Sequence, residues 1–420
     1  MRIVIIGSGG REHALALALK RTSKPEKIFA IPGNPGIAQV AECIELKVED
    51  HKAVIDFCKK EKIDLVVIGS EAPLVAGLVD DLTAAGIPAF GPTKAASILE
   101  GSKGFVKDLC REYNIPTAVY GRFTNYNEAE AFIRKHRAPI VIKADGLAAG
   151  KGVVVAQTVP EAIDAVVDML GGKFGDAGRS IVIEEFMEGE ELSFFVLCDG
   201  VGALFFGVAQ DHKRVGDGDT GSNTGGMGTY TPPKIFNVGI QNKVLHQIIV
   251  PTLKAMHDKG MPYKGVLFAG LMITKDGPKL IEYNARFGDP ETQSLMPLLQ
   301  SDLADLMLTA ATGKLKGKVV NLEQKAAMTV VMAAKGYPAD YQKGTEIRGI
   351  EKAAAQPDTF VFHAGTRAEG GKILANGGRV LNITAIGNTV AEAREKAYKA
   401  VDMIDWPEGF CRRDIGFRSL

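Results

Sequence analysis

A chain of 420 residues is too long for one ordinary domain, and we expect about two to four. Lysine plus arginine and aspartate plus glutamate number 50 each, a balance that excludes bulk attraction to nucleic acid or to an anionic membrane. The five cysteines form no CxxC pair, and no apolar stretch approaches a signal peptide or a membrane span. We therefore expect a cytoplasmic protein that binds neither nucleic acid nor membrane.

The first hundred residues alternate short apolar strands with helices, a rhythm that predicts a parallel sheet. The predicted strands span 2–6, 27–31 and 64–68, and the predicted helices span 14–20, 52–62 and 75–85. Ser102 is a suitable N-cap for a helix over 103–113, which places a boundary near residue 101. The first predicted domain, residues 1–101, is a Rossmann-like parallel sheet.

A glycine-rich turn, Gly-Ser-Gly-Gly-Arg-Glu-His, follows the first strand at residues 7–13. Backbone N–H groups at the start of a helix bind phosphates. A nicotinamide enzyme is disfavoured, because the third glycine of the dinucleotide fingerprint would fall at Glu12 and no acidic residue ends the second strand. We predict that Gly9, Gly10 and Arg11 bind a phosphate-bearing substrate, and a tight structural turn is the alternative.

The remaining chain divides into a mixed middle domain, residues 102–325, and a small α+β domain, residues 326–420. Helices are predicted at 103–113, 160–170, 244–259 and 390–404, with another from Thr292. Strands are predicted at 140–143, 152–156, 181–185, 192–198, 266–273, 279–283, 327–333, 360–364 and 380–387. The predicted fold class is α/β and α+β multidomain.

A loop with three glycines and two lysines joins two predicted strands over residues 143–152. Flexible backbone amides and the ammonium groups of Lys143 and Lys151 can close over a triphosphate. The loop is not a Walker A motif, since it lacks the Lys-Ser/Thr pair and leads into a strand. An ordinary hairpin tip is the alternative.

An acidic, glycine-containing turn links the next two strands between residues 184 and 193. A nucleoside needs a backbone donor and acceptor for adenine and a carboxylate for the ribose hydroxyls. The extended backbone beside Phe186 and Met187, followed by Glu191, can supply these groups. Taken alone, the segment also fits a solvated acidic turn.

A polar loop over residues 211–230 carries the run Asp211-His212-Lys213-Arg214 and a glycine-rich run at 223–228. Long loops in compact domains are usually functional or disordered. The charges suit anionic reactants. His212 is a candidate general base, although the sequence shows no partner for it.

Alternation along the strand that ends near residue 284 puts Glu282, Asn284 and Arg286 on one face. A carboxylate and an amide oxygen suit Mg²⁺ bound with phosphate oxygens, and a guanidinium grips phosphate or carboxylate. For this triplet alone, a solvated polar face is the alternative.

The lysine–glycine loop, the acidic turn and the Glu-x-Asn-x-Arg strand, in this order, resemble the ATP-grasp superfamily. With the N-terminal glycine turn, Asp-His-Lys-Arg, Asn-Thr-Gly-Gly-Met-Gly and Asn-Ala-Arg-Phe-Gly-Asp-Pro-Glu-Thr-Gln, the chain resembles the phosphoribosylamine–glycine ligase family nearly end to end. The resemblance implies a central ATP-grasp domain with a lid of about residues 120–190. It implies ligation of glycine to 5-phosphoribosylamine with ATP and Mg²⁺ or Mn²⁺; the alternative is another ATP-grasp carboxylate–amine ligase or a carboxylase.

The resemblance also implies roles for individual residues. It implies nucleotide binding by residues of three segments: Lys103, Lys143, Gly150, Lys151, Gly152, Glu184, Glu185, Phe186, Met187 and Glu191. It implies a metal at Glu282 and Asn284 and catalytic roles for Arg286, Asp211 and Asp289. It implies substrate binding by Gly9, Gly10, Arg11, Asn223, Thr224, Gly225, Gly288 and Glu291.

One feature departs from many ATP-grasp enzymes, which have a further acidic ligand on the preceding strand. Here residues 266–271 read Val-Leu-Phe-Ala-Gly-Leu, without a carboxylate. The number of metal ions is therefore left open. We expect a monomer or a weak dimer.

Overall fold

The computed structural model describes residues 1–146 and 152–420. Two predicted nucleotide-binding residues, Gly150 and Lys151, lie outside the described residues.

The N-terminal layer is a five-stranded parallel sheet in the order β3-β2-β1-β4-β5, as predicted. Its elements are β1 (Arg2–Gly7), α1 (Gly10–Thr22), β2 (Lys27–Pro32), β3 (Glu42–Cys43), α2 (His51–Lys60), β4 (Leu65–Ile68), α3 (Glu71–Ala76), α4 (Leu78–Ala84) and β5 (Ala89–Phe90). The single helix predicted over 75–85 is wrong. Gly77 adopts a left-handed conformation, with φ +98°, which ends α3 and lets α4 begin in a new direction.

A four-stranded antiparallel sheet, in the order β6-β9-β7-β8, follows. Its region contains α5 (Ile98–Gly101), α6 (Lys103–Glu112), β6 (Tyr120–Phe123), α7 (Tyr126–His136), β7 (Ile140–Ala144), β8 (Val153–Ala156), α8 (Val159–Asp168) and β9 (Ile181–Glu185). Ser102 caps α6 as predicted, because its Oγ accepts a 3.0 Å hydrogen bond from the Phe105 N–H. The sheet, α7 and α8 enclose a separate hydrophobic cluster that includes Ile133, Ile142 and Val166.

The largest sheet has nine strands and runs through both the middle and the C-terminal parts of the chain. From the middle part come β10 (Glu190–Asp199), β11 (Ala203–Asp211), β14 (Gly228–Thr231), β15 (Lys264–Thr274) and β16 (Gly277–Asn284). From the C-terminal part come β17 (Ala326–Ala334), β19 (Thr359–His363), β22 (Arg379–Gly387) and β23 (Gly409–Phe410). The chain path is β16-β15-β10-β11-β14-β17-β22-β19, with β23 paired to β17.

The other elements of this half are short strands and the helices that cover the large sheet. They are β12 (Arg214–Gly216), β13 (Thr220–Asn223), α9 (Val238–Val244), α10 (Val250–Asp258), α11 (Glu291–Leu295), α12 (Leu303–Ala311), β18 (Glu346–Ile347), α13 (Ile350–Ala354), β20 (Thr366–Glu369), β21 (Lys372–Ala375) and α14 (Val390–Val401). A π-helical turn, Leu245–Ile249, joins α9 to α10. The segment predicted as a loop over 211–230 is instead a β12–β13 hairpin followed by β14.

The predicted fold class is confirmed: a parallel N-terminal sheet is followed by an ATP-grasp-like middle part and an α+β C-terminal part. In the described ranges, no helix is both long enough and apolar enough to cross a membrane.

Candidate active site

The floor of the candidate site is the part of the large sheet where β16 pairs with β15. Glu282 lies opposite Gly270, and Asn284 lies opposite Phe268. Glu282 and Asn284 line the same pocket, as strand alternation predicts. Further polar walls come from β10 and from the end of β11 and the turn beyond it: Glu191, Ser193, Asp211 and Lys213.

The donors on this floor fit a hard divalent cation that also binds phosphate. Glu282 offers a carboxylate and Asn284 an amide oxygen, whereas Gly270 offers no side chain. Among the described residues, no group of three or more His, Cys, Asp or Glu is arranged to hold a metal by itself. In nucleotide sites Mg²⁺ usually takes one or two carboxylates and completes its shell with phosphates and water. Two protein donors are therefore enough for a metal shared with ATP.

A buried ion network joins the lysine–glycine loop to α6. The Glu184 carboxylate lies 2.9 Å from the Lys143 Nζ and 3.0 Å from the Lys107 Nζ, and all three side chains are at most 5% exposed. The pKa of Glu184 is lowered overall. Burial acts in the opposite direction, but the neighbouring ammonium groups of Lys143 and Lys107 outweigh it. Burial lowers the pKa of Lys107. Two ammonium groups are thus held side by side by one carboxylate.

Lys107 is a candidate nucleotide-binding residue that the sequence analysis missed. Its position is one helical turn after Lys103, on the buried face of α6 with Val106 and Cys110. The sequence could have indicated this residue through its position, since a lysine on the core-facing side of a predicted helix is unusual. Buried lysines are rare unless they are paired. Lys103 is half-buried at the start of α6, and its role stays a prediction.

The acidic turn leaves β9 at Glu185 and enters β10 at Glu190. The Glu185 side chain is held in place, because its Oε1 accepts a 3.1 Å hydrogen bond from the Val119 N–H. Phe186 is 41% exposed, which leaves an aromatic face open beside the backbone of the turn. The Glu184 side chain pairs with the lysines, and its backbone lies in the sheet between Tyr120 of β6 and Val141 of β7. A contact between Glu184 and adenine stays a prediction.

Carboxylates and one lysine cluster at the inner end of the pocket. Lys213 Nζ lies 2.7 Å from the buried Asp211 Oδ2, and the Ser193 hydroxyl donates to the buried Glu291 Oε1 over 3.0 Å. Burial raises the pKa of Asp211 to about 6; Lys213 opposes this shift, and Glu291 adds to it. Gly288 packs so closely on Glu291 that a Cβ there would overlap its carboxylate.

His212 is not available as a general base. Its Nδ1 lies 3.2 Å from the Gly228 carbonyl oxygen, and its Nε2 accepts a 3.2 Å hydrogen bond from the Gly416 N–H. The ring therefore carries its proton on Nδ1 and donates it to Gly228. Burial and the cations Arg418 and Arg412 lower its pKa to about 4, so the ring is neutral near pH 7.

Arg286 does not share the floor with Glu282 and Asn284. The strand ends at Asn284, so the alternation no longer governs Arg286, whose guanidinium faces the N-terminal layer. It lies 3.1 Å from a carboxylate oxygen of Glu71 and 3.1 Å from one of Glu100. The predicted placement of Arg286 on this face is therefore wrong. Within the described residues its ion pairs join the segment just after β16 to the helices α3 and α5.

A second cavity, of about 260 Å³, opens between the N-terminal turn and the C-terminal strands. Its lining residues come from three parts of the chain: Ser8 and Gly9, Asp289, and Tyr337, Ala364, Gly365 and Arg379. Gly9 lies at this cavity as predicted for a substrate-binding residue. Its N–H, however, already donates to the Glu12 carboxylate over 2.6 Å.

The cation beside this cavity is Arg379 rather than the predicted Arg11. Arg11 is 7% exposed and points inward, where it donates to Glu12 over 2.6 Å and to the Phe287 carbonyl oxygen over 3.1 Å. Arg379 lies at the start of β22 and lines the cavity. The sequence around residue 379 contains no motif that predicts a role in binding, because only the pairing of distant strands brings Arg379 to the site. Gly10 begins α1 and packs against the Asn382 and Gln293 amides.

One glycine segment lies between the two cavities. Arg379 Nη1 donates to the Gly225 carbonyl oxygen over 2.7 Å and to the Asp289 carbonyl oxygen over 2.7 Å. Gly226 packs on Asp211, since a Cβ there would lie 2.7 Å from Oδ1. The segment thus touches the pocket on one side and the second cavity on the other.

Two further predicted substrate residues act inside this segment. The Thr224 hydroxyl and N–H both donate to the Lys213 carbonyl oxygen over 2.8 Å. Asn223 ends β13 and pairs with Arg214 of β12. Thr224 and Asn223 therefore shape the turn that presents Gly225.

Three family models match consecutive parts of the chain. The N domain of phosphoribosylglycinamide synthetase matches residues 1–100, its ATP-grasp (A) domain matches 101–292, and its C domain matches 327–418.

Curated relatives and one solved structure are named for the activity that the sequence motifs imply. A phosphoribosylamine–glycine ligase of Mesorhizobium japonicum is 57% identical over 420 residues, covering 100% of this chain and 99% of the relative. A chloroplastic one from Arabidopsis thaliana is 53% identical, covering 98% of this chain and 79% of the relative. The crystal structure of a Thermotoga maritima phosphoribosylamine–glycine ligase matches with a TM-score of 0.85 and 32% identity, covering 99% of this chain and 100% of that one. A biotin carboxylase from Campylobacter jejuni has a TM-score of 0.75 at 14% identity, covering 97% and 92%, which shows the fold alone.

Proposed function

Because this chain belongs to the phosphoribosylglycinamide synthetase family, we infer that it is a phosphoribosylamine–glycine ligase of purine biosynthesis. It joins glycine to 5-phosphoribosylamine and consumes ATP. The finer assignments below, from residues to metal, are our proposals.

The reaction needs glycine to be activated first, because a carboxylate is a poor electrophile at neutral pH. We propose that the glycine carboxylate attacks the γ-phosphorus of ATP, which forms glycyl phosphate and breaks the bond to the ADP oxygen. The amine of phosphoribosylamine then attacks the acyl carbon and loses a proton, and phosphate leaves. Glycyl phosphate and the amine are both labile, so the site contributes mainly by positioning the reactants and excluding water.

The nucleotide is proposed to lie between the four-stranded sheet and the floor of the large sheet. Lys107 and Lys143, held by Glu184, would contact the phosphates. The backbone beside Phe186 and Met187 would contact adenine, and Glu191 the ribose hydroxyls. Lys103, Gly150, Lys151 and Gly152 stay predicted phosphate contacts.

Glu282 and Asn284 would hold Mg²⁺ or Mn²⁺ together with phosphate oxygens. When bound, the metal neutralises charge on the transferring phosphoryl group. Both residues project from one strand of a large sheet, so they would hold the metal, and with it the γ-phosphate, at a defined place on the floor.

Glycine is proposed to bind at the inner end of the pocket. Asp211 and Glu291 are both buried there, and the ammonium group of glycine would add to the positive charge that Lys213 and, at longer range, Arg379 place beside Asp211. With its ammonium at Asp211, the glycine carboxylate would lie toward Lys213 and the floor at Asn284. Asp211 would then hold the substrate rather than move a proton.

Phosphoribosylamine is proposed to occupy the 260 Å³ cavity, with its phosphate near Gly9 and Arg379. Asp289 lines the same cavity and would accept from the ribose hydroxyls. The amine would reach glycine past Gly225 and Gly226, the segment shared by both cavities. A cytoplasmic location and a monomer or weak dimer stay predictions.

The observation that carries this proposal is the pair of cavities joined by a single glycine segment, one beside the metal floor and one beside Arg379. ATP hydrolysis should require glycine plus phosphoribosylamine prepared in situ, and product analysis should show glycinamide ribonucleotide. Bicarbonate or D-alanine in place of glycine should give only background hydrolysis. Stimulation by bicarbonate, or no stimulation by the two substrates, would reject the assignment.

A further inference from the structure

The last ten residues, 411–420, lie across the β12–β13 hairpin and form what we call the C-terminal strap. Arg412 is 1% exposed although it is a charged residue close to the end of the chain. Its Nε and Nη2 donate to both carboxylate oxygens of Asp414, over 2.8 and 2.7 Å. Its Nη1 donates to Asp219 Oδ1 over 2.9 Å and to the Arg214 carbonyl oxygen over 3.0 Å. One guanidinium thus joins the strap to the start of β12 and to the turn of the hairpin.

Backbone N–H groups of the strap and of the hairpin add two further hydrogen bonds to this contact. The Arg413 N–H donates to Asp217 Oδ1 over 2.9 Å, and the Gly218 N–H donates to Asp414 Oδ2 over 2.8 Å. Each partner therefore supplies a donor and an acceptor. Such paired, charge-assisted hydrogen bonds fix a loop in one register on its support.

The strap is itself anchored on α14, independently of the hairpin. The Tyr398 hydroxyl donates to the Arg412 carbonyl oxygen over 2.8 Å and accepts from the Ile415 N–H over 3.1 Å. Arg394 Nε donates to the Ile415 carbonyl oxygen over 3.1 Å. Ile415 is fully buried in the C-terminal core. A fixed strap can therefore hold the hairpin, instead of following its movement.

The strap also reaches the active-site residues through His212. The Gly416 N–H donates to His212 Nε2, and His212 lies between Asp211 and Lys213 in the chain. The Lys213 carbonyl oxygen in turn accepts both hydrogen bonds of Thr224. The strap thus contacts the segment that begins at Asp211, at its start and at its hairpin turn.

We propose that the C-terminal strap sets the geometry of the glycine and phosphoribosylamine half of the active site, with Arg412 as a positioning residue. This inference rests on the proposed binding of glycine beside Asp211. The acidic turn at Phe186 lies between β9 and β10, and among the described residues no hydrogen bond or ion pair joins either strand to the strap. Disturbing the strap should consequently impair the use of glycine and phosphoribosylamine and spare nucleotide binding.

The test compares Arg412→Ala with Arg367→Ala, a matched variant at an exposed position on β20 in the same part of the chain. We expect Arg412→Ala to raise the KM for glycine about tenfold or more and to lower kcat, with the Kd for an ATP analogue changed less than about twofold. Added guanidinium should partly restore the activity of Arg412→Ala, because it can occupy the vacated site. Arg367→Ala should behave as the unsubstituted protein does.

Asp219→Asn provides a second variant that leaves Arg412 in place and removes one anchor on the hairpin. If Arg412→Ala does not fold, Asp219→Asn should still raise the KM for glycine and spare the nucleotide Kd. Unchanged glycine kinetics in both variants, or an equal loss of glycine and nucleotide binding, would overturn the inference. Failure of the unsubstituted protein to use glycine would instead overturn the proposed function, so the two failures are distinguishable.

Discussion

Lys103 and Lys107 lie one turn apart on α6, but only Lys107 belongs to the buried network around Glu184. Lys107→Met should leave Glu184 with one lysine and reduce the free energy of unfolding by about 3 kcal/mol. It should also raise the KM for ATP. Lys103→Met, the matched variant, should keep its stability within about 0.5 kcal/mol, since the residue is partly exposed. Urea denaturation and ATP saturation curves check both; equal loss of stability in the two variants would contradict the assignment.

Asp211 has a pKa raised to about 6 from 3.8, chiefly by burial. If its carboxylate binds the ammonium group of glycine, kcat/KM for glycine should rise as the pH passes through about 6 and then level off. Asp211→Asn should remove this rise and lower activity. Asp276→Asn, an exposed control of equal charge change, should keep it.

The same pKa makes an opposite prediction for stability. The folded state retains a proton on Asp211 that the unfolded chain has already lost, so the carboxyl group lowers stability as the pH rises from about 4 to 6. Relative to the unsubstituted protein, Asp211→Asn should become more stable over that range. Urea midpoints measured at pH 4.5 and pH 7 check the sign, and a constant difference would contradict it.

At the scale of strands, the pairing of β15 with β16 decides how many protein ligands the metal has. Gly270 lies opposite Glu282, and a Cβ at Gly270 would meet Glu282 atoms at ordinary distances of 3.5 and 3.6 Å. Gly270→Asp should therefore place a second carboxylate beside the first and lower the Mg²⁺ concentration that gives half-maximal activity. Gly270→Ala should leave this concentration unchanged. If both variants respond to Mg²⁺ alike, the metal does not lie between these strands.

Periodicity predicted β15, β16 and α6 well, because a strand or helix that packs on a core must show its apolar residues at a regular spacing. Predictions from periodicity were wrong at the ends of elements, where the regular spacing of apolar residues is no longer required. Arg286 lies two residues beyond the end of β16 and turns toward Glu71 and Glu100. The β12–β13 hairpin was missed because its residues are polar and glycine-rich, and its support comes from the distant strap.

For the whole molecule, motifs that are contiguous in sequence were enough to identify the family and to predict which segments bind the nucleotide. Groups brought together only by tertiary pairing were not. Arg379 and Gly365 join Gly9 across more than 350 residues, and no local pattern marks such a meeting. Arg412 reaches its hairpin in the same way.

The sheet order also predicts which parts of the molecule unfold together. Strands of the middle and C-terminal parts meet in one sheet at the β14–β17 pairing, whereas the four-stranded sheet has its own core around Ile142. Native-state hydrogen exchange should show β11, β14, β17 and β22 opening in one cooperative unit. The strands β6 to β9 should open separately and at lower free energy, since their smaller core buries less apolar surface. An ATP analogue at about 100 times its Kd should stabilise the lysine-bearing β7 by up to about 2.7 kcal/mol. If β17 and β22 instead exchange with β6 to β9, or independently of β14, the large sheet is not one cooperative unit.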